Sequence, residues 1–172
     1  MNSLIKTLTI AAGVCACATS LAVADMAVKF GEGAPKDRFT FENNGACTIA
    51  NAKVTLDLSG SKSGLIFDVT SKGAGVEVFQ PLEIVSGGNA LRGVPTVKDG
   101  DNQITLDISQ LDAGKSVSFT IDVDDTMGGR EITVSGSEIS GARVVFSQDS
   151  KSASGTFGSN ARTNIQLNAC RL

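Results

Sequence analysis

The residues best suited to chemistry in this sequence form a short acidic run, Thr-Ile-Asp-Val-Asp-Asp-Thr, at positions 120–126. If the run is a β-strand, Asp122 and Asp124 project from one face, because successive side chains of a strand point to opposite faces. Asp125 then begins the following turn. Carboxylates that converge at a strand end are suitable ligands for Ca²⁺, a hard cation that takes six to eight oxygens.

A neighbouring strand is expected to complete this calcium site. Asp68 lies in a short apolar run at 65–69, and we expect its carboxylate to join the other three. Backbone carbonyls of the turn at 126–129 are further candidate ligands. The spacing is not that of an EF-hand loop. The alternative is an exposed acidic strand end that is solvated or paired with Arg130, which is the usual role of a charge run.

A second acidic segment, Asp-Gly-Asp-Asn at 99–102, also has the composition of a cation loop. It lies between two apolar segments, where Asp-Gly is the usual chemistry of a tight turn. We therefore interpret it as a turn.

The composition argues against an enzyme. The chain contains no His, Trp or Tyr, which excludes Ser-His-Asp and Cys-His nucleophiles and zinc sites that need imidazole. Paired carboxylates also occur in glycosidases, but clefts that process sugars generally use aromatic stacking, and this chain offers only Phe. Its net charge of -3 gives no electrostatic basis for nucleic-acid binding.

The N-terminus has the features of a Sec signal peptide. Lys6 precedes an apolar, small-residue run at 8–23 that ends in Ala-Val-Ala at 22–24. Cleavage after Ala24 divides the chain into a signal peptide, 1–24, and a mature domain, 25–172, without a membrane span. The protein is then secreted or periplasmic. The alternative is lipoprotein processing, with Cys17 as the lipidated residue.

Export leaves Cys47 and Cys170 as the cysteines of the mature chain, since Cys15 and Cys17 are removed with the signal. In an oxidising compartment two remaining thiols are expected to form one bridge. Closing such a long loop stabilises a protein by about 4 to 5 kcal/mol in the chain-entropy model. The alternative is a pair of free or intermolecular thiols.

The mature chain is patterned as β-strands throughout. Apolar and polar residues alternate with period two, and glycine-rich turns separate the alternating segments. This pattern predicts an all-β fold, a single antiparallel β-sandwich of the immunoglobulin-like or jelly-roll-like kind with about nine to eleven short strands. The alternating segments are 38–42, 54–58, 104–108, 117–123 and 165–167, with shorter apolar runs at 65–69, 76–79, 132–134 and 143–146.

Several motifs resemble those of a known family. They include Glu-Gly-Ala-Pro-Lys-Asp-Arg-Phe at 32–39, the acidic block at 119–126 and Gly-Gly-Arg-Glu-Ile-Thr-Val-Ser-Gly-Ser-Glu-Ile at 128–139. Together they resemble small exported bacterial proteins named for similarity to the core protein of sponge aggregation factors. The resemblance implies extracellular, calcium-associated cell adhesion. For the other motif residues we expect structural roles, with Phe67 and Phe79 in the core and Pro81 at a strand break.

These observations predict an exported, non-enzymatic protein of the cell surface or matrix. Adhesion or aggregation is the first hypothesis, with cell-surface or matrix components or a second copy as partners and Ca²⁺ as the stabilising ion. The alternative is a periplasmic or extracellular β-sandwich module that binds a glycan or another ligand.

Overall fold

The structure, a computed structural model, describes residues 24–72, 79–127 and 134–167. Across these residues the chain forms ten β-strands in two antiparallel sheets, together with one short 3₁₀-helix at Gly88–Ala90. The two sheets pack as a sandwich, as the alternating pattern predicts. Nowhere in the described ranges is there a helix with the length and apolarity needed to cross a membrane.

The first sheet has six strands and holds the acidic run. Its strands are β1 (Ala24–Gly31), β2 (Asp37–Asn43), β4 (Ile66–Asp68), β5 (Glu83–Ser86), β7 (Ser116–Asp124) and β10 (Arg162–Leu167). The order is β10-β1-β2-β7-β4, and β5 also pairs with β7. One edge of β7 therefore pairs with β5 and then, nearer its C-terminal end, with β4.

The second sheet has four strands in the order β6-β3-β8-β9. They are β3 (Ile49–Asp57), β6 (Gln103–Leu111), β8 (Arg143–Gln148) and β9 (Lys151–Thr156). Strands β8 and β9 form a hairpin that turns through two residues, with Gln148 opposite Lys151. The sequence indicates only a loose hairpin here, since this segment is rich in serine.

The core lies between the sheets and contains the alternate residues of each strand. Phe39, Phe41 and Phe119 are fully buried. The ring of Phe119 lies 5.4 Å from that of Phe39 and 5.9 Å from that of Phe41, within the range of favourable aromatic pairs. This aromatic cluster packs β7 against β2. Phe119 lies three residues before Asp122, where the acidic end of β7 begins.

The sequence-based predictions for individual segments had mixed outcomes. Strands β2, β3, β6, β7 and β10 occupy the predicted alternating segments, whereas β1 and β5 were missed. The prediction that Phe79 belongs to the core is wrong. Its side chain is 69% exposed in an unpaired segment before β5, while Phe67 is buried as expected. Pro81 lies in the same unpaired segment.

Some predictions concern residues outside the described ranges. The signal peptide at 1–24 falls almost wholly among them, as do most of the apolar runs at 76–79 and 132–134. Cys47, just before β3, is disulfide-bonded. Its expected partner, Cys170, lies outside the described residues, so the pairing stays a prediction.

Candidate metal centre

The end of β7 carries two aspartates on the face predicted from the sequence. Asp122 and Asp124 are half-buried and alternate with the buried Ile121 and Val123. Strand β4 pairs with this part of β7, and Asp68 lies directly opposite Asp122. Because opposite residues of an antiparallel pair point to the same face, all three carboxyl groups share one face of the sheet.

The three carboxylates form a triangle suited to a divalent cation. One oxygen each from Asp68, Asp122 and Asp124 lies within 4.8 Å of the other two. The centre of a triangle with sides of that length is about 2.8 Å from each corner, close to the 2.3 to 2.6 Å of Ca²⁺–oxygen bonds. Mg²⁺, with bonds of about 2.0 to 2.1 Å and a strict octahedral geometry, needs a larger contraction.

Asp68 is the member of the triangle that is most fully removed from water. Its side chain is 1% exposed, and its Oδ2 atom has no hydrogen-bond partner among the described residues. A buried carboxylate oxygen without a partner is costly, and the cost is avoided when the group is protonated or contacts a cation. The Oδ2 atom is therefore placed either to carry a proton or to contact a cation.

The electrostatics of the triangle agree with this interpretation. Burial raises the pKa of Asp68 to about 7, with further contributions from the hydrogen bond and charge of Asp99 and from the charges of Asp124 and Asp122. Burial, followed by the charge of Asp124, raises the pKa of Asp122 to about 6. A cation that binds these carboxyl groups must displace their protons, and it then neutralises the repulsion between the ionised groups.

A further buried aspartate, Asp37, lies on the core face of the same sheet, near enough to feel the charges of the site, and was missed in the sequence. It is the first residue of β2, opposite Ile121, and its side chain is 2% exposed. Its Oδ1 atom accepts a hydrogen bond of 3.0 Å from the Gly33 amide. Burial raises its pKa to about 7, and the charges of Asp122 and Asp124 add to the shift. Its sequence position could have revealed it. Asp37 alternates with Phe39 and Phe41, so it lies on the side of β2 that faces the core.

The turn at Asp99 is confirmed, and it also meets the acidic cluster. The amide of Asp101 donates to the Lys98 carbonyl over 3.0 Å, and Gly100 adopts a φ of 80°, a conformation that favours glycine. The Asp99 side chain hydrogen-bonds that of Asp68. The sequence could identify the turn, but not that the turn lies beside β4.

The segment that follows β7 is held by the turn before β4. The Thr126 hydroxyl donates to the Gly64 carbonyl over 2.8 Å, and the Thr126 amide donates to the Ser63 carbonyl over 3.2 Å. Asp125, between Asp124 and this anchor, is half-buried and is not one of the three residues in the triangle. Its role as a ligand stays a prediction. Arg130 and the carbonyls of 128 and 129 lie outside the described residues.

Comparison with known proteins found no significant match. No protein-family model matches the chain, and neither a curated protein nor a solved structure is significantly similar to it. The resemblance to the aggregation factor family therefore remains a prediction from the motifs, and the argument for function depends on the site itself.

Proposed function

We propose that this protein is an exported, non-enzymatic β-sandwich that binds Ca²⁺ through Asp68, Asp122 and Asp124 and acts in adhesion or aggregation at the cell surface or in the matrix. The observation that supports a bound ion is that Asp68, a member of the carboxylate triangle, has a buried Oδ2 atom without a hydrogen-bond partner among the described residues.

The chemistry of the donors favours Ca²⁺ over softer metals. All three side chains offer hard carboxylate oxygens, and the chain has no histidine to supply imidazole. The paired strands β4 and β7 position these oxygens, so an ion bound to both strands is expected to stabilise the fold. The sequence motifs that resemble aggregation factor proteins support adhesion as the use of that stability.

Bead aggregation tests the adhesive part of the proposal. Beads coated with mature protein, residues 25–172, are expected to aggregate in millimolar Ca²⁺ and to disperse in EDTA. Beads coated with the Asp124→Asn variant serve as the control and are expected to stay dispersed in both. Wild-type beads that remain dispersed in Ca²⁺ would argue against homotypic adhesion.

A glycan array separates this proposal from a glycan-binding module. Adhesion through protein contacts predicts no glycan signal at useful affinity in the presence of Ca²⁺. Selective binding to one class of glycans, together with dispersed beads, would favour the alternative. Deleting the gene and scoring cell aggregation or biofilm then tests the role in the cell.

Export has its own test. N-terminal sequencing of the protein recovered from outside the cytoplasm is expected to begin at Asp25. A lipid-modified Cys17 at the N-terminus would show instead that the protein is anchored to a membrane.

A further inference from the structure

We propose that strand β1 controls when the predicted signal peptide can be removed, because the bond between Ala24 and Asp25 lies inside this strand. Cleavage then has to precede the entry of β1 into the sheet, and a chain that folds first keeps its apolar N-terminal segment. This inference rests on the export that forms part of the proposed function. It adds an order of events and a conformational reason for that order.

The predicted cleavage site is not separated from the folded domain by a spacer. Strand β1 begins at Ala24, which is also the last residue of the Ala-Val-Ala sequence that a signal peptidase would recognise. Ala24 lies opposite Leu167 of β10, and Asp25 lies opposite Gln166. The bond to be cut therefore joins two residues that are both paired with β10.

The other edge of β1 is occupied as well. Strand β1 lies between β10 and β2 in the first sheet, and its pairing with β2 begins at Met26, opposite Asn43. Just beyond that pair, the Asn44 amide donates to the Asp25 carbonyl over 3.1 Å. A peptidase has to draw its substrate chain into its own cleft, so it can reach Asp25 only after these contacts have opened.

Buried side chains hold this end of β1 against fraying. Met26, the residue after Asp25, is fully buried, and Leu167, opposite Ala24, is buried too. Strand ends open most easily where few apolar contacts hold them. To expose the Ala24–Asp25 bond, the chain has to give up its pairing with β10 and loosen the packing of Met26. Cleavage of such a bond is limited by the small population of the open form.

The order of the strands leaves time for cleavage before the site is covered. Strand β10, at 162–167, lies far along the chain from β1, and a chain is synthesised from its N-terminus. Before β10 emerges, β2 is the only one of its two neighbours that β1 can pair with, and an isolated two-stranded hairpin is at best marginally stable. The cleavage site is accordingly open in the emerging chain and closed in the finished sheet.

Folding and cleavage therefore compete for the same segment. A chain that is cut early is released as the mature domain, 25–172. A chain that completes the sheet first retains the apolar segment at 8–23, which tethers it to the membrane across which it is exported. The relative rates of the two processes then set the ratio of released to tethered protein.

Digestion of the full-length precursor with purified signal peptidase in detergent tests this order. The folded precursor is expected to be cut after Ala24 at least about tenfold more slowly than the same chain freshly diluted from urea. Withdrawing one buried apolar side chain is alone sufficient for a difference of about tenfold or more. Mass spectrometry of the released domain identifies the bond that was cut.

A spacer variant tests whether β1 is the source of the protection. Inserting Gly-Ser-Gly-Ser between Ala24 and Asp25 moves the cut bond outside the strand and keeps the Ala-Val-Ala sequence, so the folded variant is expected to be cut as fast as its unfolded form. The same insertion after Gly93, an exposed loop residue with open space around it among the described residues, is the matched control and should leave the folded precursor protected. Slow cutting of the folded spacer variant would overturn the role of β1.

The outcomes also separate this inference from export itself. Equal rates of cleavage after Ala24 in the folded and unfolded precursor overturn the inference and leave the signal peptide in place. An unfolded precursor that is not cut after Ala24 overturns both.

Discussion

Asp68 of β4 lies directly opposite Asp122 of β7, and the two acidic side chains share one face at the edge of the first sheet. Like charges in directly opposed positions destabilise a sheet. The burial of Asp68 adds to that cost, because water cannot screen its charge. Under the proposed function, a bound Ca²⁺ ion offsets both penalties.

Replacing Asp68 with Asn is expected to have opposite effects with and without the ion. In EDTA near pH 8, Asp68→Asn removes a buried charge and its repulsion, so the melting temperature should rise. The stabilisation by Ca²⁺ should disappear, because a ligand charge has been removed. Asp107→Asn, in an exposed ion pair with Arg92, is the control and should change stability by less than about 1 kcal/mol. A variant that melts lower in EDTA and still responds to Ca²⁺ would contradict this role.

The stability of the ion-free protein should depend on pH with an unusual sign. The pKa values of Asp37 and Asp68 are about 7 in the folded protein, compared with an ordinary value of 3.8. Between these limits the unfolded chain has lost the protons that the folded protein retains. Stability is therefore fully present below about pH 4 and is lost as pH rises through about 7.

Urea denaturation in EDTA at several pH values between about 4.5 and 7.5 measures this loss. Asp37→Asn should flatten the profile, because the amide does not titrate. Saturating Ca²⁺ should offset the loss above pH 7 by stabilising the ionised carboxylates. Stability that rises steadily across this window in EDTA would be inconsistent with the raised pKa values.

The aromatic cluster between β2 and β7 is expected to dominate the stability of this end of the core. Phe119→Ala leaves a cavity against Phe39 and Phe41 and should lower the free energy of unfolding by about 3 to 5 kcal/mol. Phe79→Ala is the matched control. With 69% of its side chain exposed, Phe79 should contribute less than about 0.5 kcal/mol. Equal effects of the two substitutions in urea denaturation would refute the assigned packing.

The predicted Cys47–Cys170 bridge is checked by mass. Mature protein from an oxidising compartment, alkylated under denaturing conditions, should carry no alkyl group until it is reduced. Reduction should then lower stability by up to about 4 to 5 kcal/mol. Two alkylated cysteines before reduction would remove the bridge.

Local periodicity accounts for the part of the site that could be predicted from the sequence. The shared face of Asp122 and Asp124 follows from the alternation along β7, and Asp68 follows from an adjacent strand with the same pattern. The proximity of Asp37 and Asp99 to the acidic cluster depends instead on strand register and on a turn that lies beside β4. Both are long-range properties that alternation does not encode.

The same distinction explains the errors in the fold. Phe79 is apolar, but its unpaired segment gives it no inward face. Strand β5, Glu-Ile-Val-Ser, is too short for its alternation to be recognised. Strand β9, in the segment expected to form a loose hairpin, is not an error; its small polar residues are positioned by pairing with β8.

A thermal melt in EDTA, Ca²⁺, Mg²⁺ and NaCl matched for ionic strength tests the calcium site most directly. An ion that binds only the folded protein at a hundredfold excess over its Kd adds about 2.7 kcal/mol, which corresponds to an upward shift of several degrees. We expect this shift in Ca²⁺, a much smaller one in Mg²⁺ and NaCl, and none in Asp124→Asn. Equal melting temperatures of the wild-type protein in EDTA and Ca²⁺ would contradict the site and leave the acidic cluster without a bound ion.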